Sequence, residues 1–195
     1  TSKDISVSGV HFPKELNSYF IAYRSVAIAI SDIFAMGGTP TAYLLGITHP
    51  NPDDDWFKSF SDGLKDFNED YDVNLIGGDL TRGDLNISVT VFGQAPNNLL
   101  TRKGANIGDL IFVSDLLGKG KKGLNDYRRN YASEINHYLK PKLPVRLVPK
   151  LRQLATSCID VSDGLLIDLK RICSSSKVGA VINLNQNIYL TDEHD

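Results

Sequence analysis

Ile30-Ser31-Asp32-Ile33-Phe34-Ala35-Met36-Gly37-Gly38-Thr39-Pro40 closes a long apolar helix and turns the chain toward a strand. From Asn17 to Met36, Phe20, Ala22, Val26, Ala27, Ile28, Ala29, Ile30, Ile33, Phe34 and Ala35 leave little polar surface, so this helix is expected to be buried on most sides. Gly37-Gly38 stops it and Pro40 prevents its continuation. Tyr43–Thr48 then reads as a compact apolar strand. A buried helix between short apolar strands puts the chain in the α/β (α+β) class.

Working outward, Ile5–Phe12 reads as a strand before this helix. A second helix is expected after Pro52, because Trp56, Phe57, Phe60, Leu64, Phe67 and Tyr71 recur at three- and four-residue steps. The run Asp53-Asp54-Asp55 is read as acids that cap that helix and complement its dipole, not as a metal site. Val73–Ile76 is a short strand leading into Gly77-Gly78-Asp79, and Leu85–Gln94 alternates as a half-buried strand. The four strands should form one mixed sheet, with the helices of Asp32 and Trp56 on one face. The opposite face is then expected to stay apolar and uncovered, which favours pairing with a second copy of the chain.

Ala95-Pro96-Asn97-Asn98 marks a boundary between a first lobe, residues 1–98, and a second, residues 99–195. In the second, Ile111–Ser114 is expected as a strand, and Gly118–Gly123 as a mobile basic loop. That loop does not match the phosphate-loop pattern, since no Ser or Thr follows a suitable Gly-Lys. Helices are expected over Leu124–Tyr138 and Val145–Thr156. Leu165, Leu166, Leu169, Ile172 and Cys173 mark an amphipathic helix, and Ala180–Leu184 a last strand.

Composition excludes several classes. The 195 residues, 42% hydrophobic and 23% charged, suit a soluble globular protein. A net charge of −2 leaves no footprint for nucleic acid or an acidic membrane. No apolar run approaches the roughly 20 residues that span a bilayer. Thr1-Ser2-Lys3-Asp4 lacks the features of a signal peptide. Cys158 and Cys173 stand in no metal-ligand spacing and read as reduced core thiols of a cytoplasmic protein.

Carboxylates in unusual places carry the chemistry. Asp32 lies between Ile30 and Ile33, where an ionised group needs a cation, hydrogen bonds or an exposed edge. It either caps a neighbouring loop or serves a metal or substrate. Gly77-Gly78-Asp79 is an ordinary turn or a place where glycines admit a phosphate close to the backbone. In Ile159-Asp160-Val161-Ser162-Asp163-Gly164-Leu165, Ser162 or Asp163 is expected to cap the following helix. Asp160 is not explained by capping. Two carboxylates near a helix N-terminus could hold magnesium while free N–H groups donate to phosphate oxygens. Thr101-Arg102-Lys103-Gly104-Ala105 adds a cationic loop in which Arg102 could clamp a triphosphate, unless it is simply a surface arginine.

These blocks, taken in order with Ser8-Gly9-Val10-His11-Phe12, Leu80-Thr81-Arg82-Gly83 and Gly108-Asp109, resemble the thiamine-monophosphate kinases of the aminoimidazole-ribonucleotide synthetase superfamily. The resemblance runs from about residue 4 to the end and is loose between Leu116 and Leu154. It implies a two-lobed fold, ATP as co-substrate, Mg2+, thiamine monophosphate as acceptor, and a homodimer formed through the first lobe. Position by position it makes Asp32, Asp79, Asp160 and Asp163 magnesium ligands. Gly78, Asp79, Arg102 and Ser162 would contact ATP. His11 would contact the thiamine phosphate, or else be a strand-end histidine bonded to backbone.

The chain departs from the family in lacking an N-terminal glycine-aspartate-aspartate-alanine motif and a C-terminal glycine-glycine-glutamate-aspartate-tyrosine segment. It is therefore expected to be a middle fragment with an incomplete second lobe. Ser8 stands where many members have glutamate. The alternatives to a kinase are another ATP-dependent ligase of the superfamily and an inactive remnant that only dimerises. The retained Ser31–Pro40 and Thr101–Ala105 blocks favour the kinase.

Overall fold

The computed structural model describes residues 1–95, 99–131, 133 and 135–183. It divides into two compact units. The first comprises Thr1–Ile33, Thr39–Gln94 and Leu139–Leu143; the second comprises Phe34–Gly38, Ala95–Tyr138 and Pro144–Asp195.

The first unit is built on a four-stranded mixed sheet in the order β1-β4-β2-β3. Its strands are β1 (Ser2–Val7), β2 (Thr39–His49), β3 (Asn74–Arg82) and β4 (Asn86–Gln94). β4 is antiparallel to both β1 and β2, whereas β2 and β3 run parallel and are joined through a helix, as a parallel pair requires. Register and period-two alternation sort the side chains. Ile87, Val89 and Val91 of β4 and Tyr43 and Leu45 of β2 point to one face and are buried. Each such side chain contributes about 1.5–3 kcal/mol of burial.

Two helices cover that face. α1 (Ser18–Ala35) begins where Asn17 Oδ1 accepts the Tyr19 N–H at 2.9 Å. It buries Ile21, Ala22, Val26, Ala27, Ala29, Ile30 and Ile33. By length and composition α1 could cross a membrane, contrary to the expectation that no such run exists, but most of it is buried inside the unit. α2 (Asp54–Tyr71) is capped by Asp53, whose carboxylate accepts the Trp56 N–H at 2.7 Å. The acidic triplet is thus a helix start, as expected. Phe60, Leu64 and Phe67 form the buried stripe of α2. At Gly63 a Cβ would lie 2.2 Å from the Tyr19 carbonyl oxygen, so the two helix backbones meet there and only glycine fits.

Leu139–Leu143 completes the unit. The Lys140 ammonium sits 4.7 Å and 4.8 Å from the ring centres of Tyr19 and Tyr23 and 3.6 Å from Asp66. The Leu143 N–H donates to the Tyr71 hydroxyl at 3.2 Å.

Several boundaries differ from expectation. β1 ends at Val7 and the chain turns at Ser8–Phe12, with Gly9 at φ +76°. β3 runs through Gly77-Gly78-Asp79 instead of stopping before it. The face opposite the helices is not uniformly apolar. By register it carries Lys3, Thr48, Asp79, Thr81, Ser88 and Thr90 beside Ile5 and Leu44.

The second unit is helical: α3 (Lys119–Arg128), α4 (Ile135–Leu139), a 3-10 turn at Val145–Leu147, α5 (Val148–Leu154) and α6 (Leu165–Ser176). Leu139, the last residue of α4, is grouped with the first unit. The expected basic loop Gly118–Gly123 is instead the start of α3. Lys119 pairs with Asp115 at 2.6 Å and Lys122 with the buried Asp126 at 3.8 Å, and these offset the weak helix propensity of the glycines. Ile111–Ser114 forms no strand and is exposed. No strand forms over 180–183 either; Leu184 lies outside the described residues.

Candidate functional site

In the first unit, the tight turn after β1 folds His11 back so that its Nδ1 accepts the Val7 N–H at 3.0 Å. This is the backbone-bonded arrangement anticipated as one alternative. With Nδ1 the acceptor, the neutral ring carries its proton on Nε2. Asp32, half-buried on α1, accepts the Ser2 hydroxyl at 2.5 Å, so its charge is satisfied from β1. Asp79 is exposed on β3, and its Oδ1 accepts the Leu80 N–H at 2.9 Å. Beside it, a Cβ on Gly78 would fall 1.9 Å from the Leu45 carbonyl oxygen. The glycine is therefore required by the close β2–β3 approach itself. Arg82 Nε donates to the Pro50 carbonyl at 3.2 Å.

The sheet keeps two of the carboxylates apart. Ser2 pairs with Val91 on the helix-covered face, and so Asp32 lies on that side. Asp79 pairs with Gly46, which pairs with Ser88, on the opposite face. Ser2 and Asp79 also belong to the two edge strands, about 14 Å apart over three interstrand steps. No single ion takes both. A shallow groove of about 560 Å3 lined by Ser61, Lys65, Asn68, Glu69 and Asp72 contains none of these residues.

In the second unit, the Cys158 N–H donates to the Thr101 carbonyl at 3.0 Å, which brings the Arg102 loop alongside the segment leading to Asp160. Burial pushes the Cys158 thiol up from its ordinary value, consistent with a packed, unreactive side chain. Asp160 is half-buried, whereas Arg102, Ser162 and Asp163 are exposed.

Neither Ser162 nor Asp163 caps α6. The N-cap is Gly164, at φ 112°, with no side-chain cap bond. Instead Asp168, buried to 1% exposure in the first turn, reaches back. Its Oδ2 accepts the N–H groups of Ser162, Asp163 and Gly164 at 2.9, 3.1 and 3.2 Å. These three donors, expected to be available to phosphate oxygens, are already used. Arg171 bridges the pair, donating to Asp168 Oδ1 at 2.6 Å and meeting Asp163 Oδ2 at 2.6 Å. The Asp163 carboxylate raises the Arg171 guanidinium above its ordinary range. Asp168 and Arg171 were missed in the sequence because both sit in an apolar helical pattern. The signal was an acid in the first turn of a helix that opens on glycine, placed to bond back to the preceding N–H groups.

Within either unit, among the described residues, no three side chains of His, Cys, Asp or Glu gather as a metal-holding group. The donor chemistry still fits a hard cation that keeps much of its water: Asp160 and Asp163 offer two carboxylates from one loop.

Residues 1–95 match the family described as AIR synthase related protein, N-terminal domain. A thiamine-monophosphate kinase of Buchnera aphidicola subsp. Acyrthosiphon pisum is 39% identical over 196 residues, covering 95% of this chain and 60% of its own. The chain thus spans about three-fifths of the length of such relatives. A crystal structure of thiamine-monophosphate kinase from Stenotrophomonas maltophilia K279a superposes with a TM-score of 0.84 at 35% identity, over 90% of this chain and 60% of that one. AaThiL complexed with AMPPCP and TMP superposes with a TM-score of 0.85 at 26% identity, over 90% and 59%.

Proposed function

We propose, from the match of residues 1–95 to the AIR synthase related protein N-terminal domain family, that this chain serves a kinase that phosphorylates thiamine monophosphate to thiamine diphosphate with ATP. The observation that carries the reading is 39% identity to a thiamine-monophosphate kinase along 95% of the chain. A related structure holding both an ATP analogue and TMP supports the same substrate pair.

Donor and acceptor are both phosphates and repel, so the transfer depends on positioning and on cancelling charge. Magnesium, when bound, would neutralise the charge gathered between them. Asp32, Asp79, Asp160 and Asp163 would hold magnesium ions, with Asp32 and Asp79 serving separate ones. Asp163 would have to share or leave Arg171 to do so. Gly78, Arg102 and Ser162 would contact ATP. The Nε2 proton of His11 would face the thiamine phosphate. The acceptor oxygen is already anionic near neutral pH, so no general base is needed.

The reading extends to organisation: residues 1–98 as the nucleotide, metal and dimerisation lobe, 99–195 as the second lobe, and a cytoplasmic homodimer. Ile5 at 47% and Leu44 at 37% exposure, on the sheet face without helices, support pairing of that face with a second copy. The test is production of thiamine diphosphate from ATP and thiamine monophosphate, with and without magnesium. Activity with formylglycinamidine ribonucleotide in place of thiamine monophosphate would overturn it in favour of a ligase.

A further inference from the structure

We infer that Ser176, at the far end of α6, is a positioning residue for Arg102. Its hydroxyl oxygen accepts the N–H groups of Gly104 and Ala105, both at 3.1 Å. Its own proton goes to the Arg102 carbonyl at 3.0 Å. One side-chain atom therefore closes the backbone of residues 102–105 around itself. The loop makes a second, smaller closure of its own, with the Lys103 N–H donating to Thr101 Oγ1 at 3.2 Å and that hydroxyl donating to the Lys103 carbonyl at 2.9 Å.

The anchor itself is well held. Ser176 is the last residue of α6, followed by Lys177 in the left-handed conformation at φ 58° and by a Val178 N–H that returns to the Cys173 carbonyl at 3.1 Å. The other end of the same helix is tied down by Asp168 and Arg171. A loop carrying an exposed arginine two residues before a glycine has many backbone states to lose when it grips a ligand. Fixing 102–105 beforehand leaves only the arginine side chain to be ordered, which strengthens binding without adding a contact. Ser176 thereby acts on the nucleotide through Arg102 and does not touch it.

The inference rests on the reading of Arg102 as an ATP contact, and the experiment separates the two. AMPPCP affinity, thermal midpoint and hydrogen exchange are measured for wild type, Ser176→Ala, Ser176→Thr and the exposed neighbour control Ser175→Ala. Expected for Ser176→Ala are affinity weakened about tenfold, exchange of the Gly104 and Ala105 amides accelerated about tenfold, and a thermal midpoint matching Ser175→Ala. The hydroxyl-bearing Ser176→Thr should restore affinity and exchange. Unchanged affinity in Ser176→Ala overturns the inference. So does a general loss of stability that Ser176→Thr fails to repair. If wild type binds no AMPPCP, the reading of function falls, and the exchange rates alone decide whether Ser176 fixes the loop, unchanged rates overturning it.

Discussion

α1 and α6 are both helices with apolar faces, yet they are held in opposite ways. α1 is anchored along its whole length by side chains packed against a sheet, with Ala22, Val26, Ala27, Ala29 and Ile30 wholly buried. α6 leaves Leu166 at 70% and Ile167 at 51% exposure, and it is held by polar ties at its two ends. The first unit is thus made by distributed packing, which tolerates small local changes. The organisation of the second around its acidic loop depends on a few hydrogen-bonded groups, each of which matters singly.

The packing of α1 and α2 depends most on Phe67, which is fully buried and stacks edge-on against Tyr23 with ring centres 5.0 Å apart. Phe67→Ala should lower stability by roughly 3–5 kcal/mol in chemical denaturation. Hydrogen exchange should accelerate across α1 and α2 together. A change confined to α2 would mean that the packing is less shared than the burial pattern implies.

Smaller, and confined to activity, is the effect expected of Asp79→Asn: turnover down by about a hundredfold, ~2.7 kcal/mol in the barrier, partly rescued by raised magnesium. Asp54→Asn, in the first turn of α2, should leave turnover unchanged. Equal losses from both would show that general acidity, not a metal ligand, is being removed.

Asp168→Ala tests the polar tie at the start of α6. Three N–H groups lose one acceptor, a cost of about 1–3 kcal/mol, and exchange at Ser162–Gly164 should rise while α1 and α2 stay protected. Uniform loss of protection across both units would contradict a locally tied loop.

The smallest effect concerns pH. His49 stacks edge-on against Trp56, the sole tryptophan, at 4.5 Å between ring centres. Desolvation lowers its pKa below the ordinary 6.5. A depressed pKa means that the unfolded chain binds the proton more readily, so this contribution is complete above pH 6.5 and is lost as pH falls through the lowered value. Trp56 fluorescence should report it, with a shallow decline in stability below pH 6.5 that disappears in His49→Phe. An equally steep decline in that variant would assign the effect to carboxylates.

The same contrast explains what was legible in the sequence. Apolar spacing foretold α1, α2 and the four-stranded sheet, and Asp53 was recognised as a cap because its energetics are local. Gly77-Gly78 was misread as a strand end. The pair is a stop signal in isolation, yet in the sheet it is what lets β3 lie against the Leu45 carbonyl. Asp168 and Ser176 escaped notice because their partners are backbone N–H groups, which the sequence does not distinguish from one residue to the next. For Ser176 they are also 71 and 72 residues away along the chain.

Lys140 has a consequence for how the protein can be cut. It sits against Tyr19, Tyr23 and Asp66, although it lies 45 positions past residue 95, where the matched family domain ends. The piece recognised by sequence and the piece that completes its own packing are therefore not the same. A gene fragment ending at residue 95 would carry every strand of the sheet and lack the segment that seals its outer helical surface. It would expose the rings of Tyr19 and Tyr23 to solvent and take the Lys140 ammonium from Asp66. Autonomy in this molecule belongs to a discontinuous set of residues, which no single truncation point can isolate.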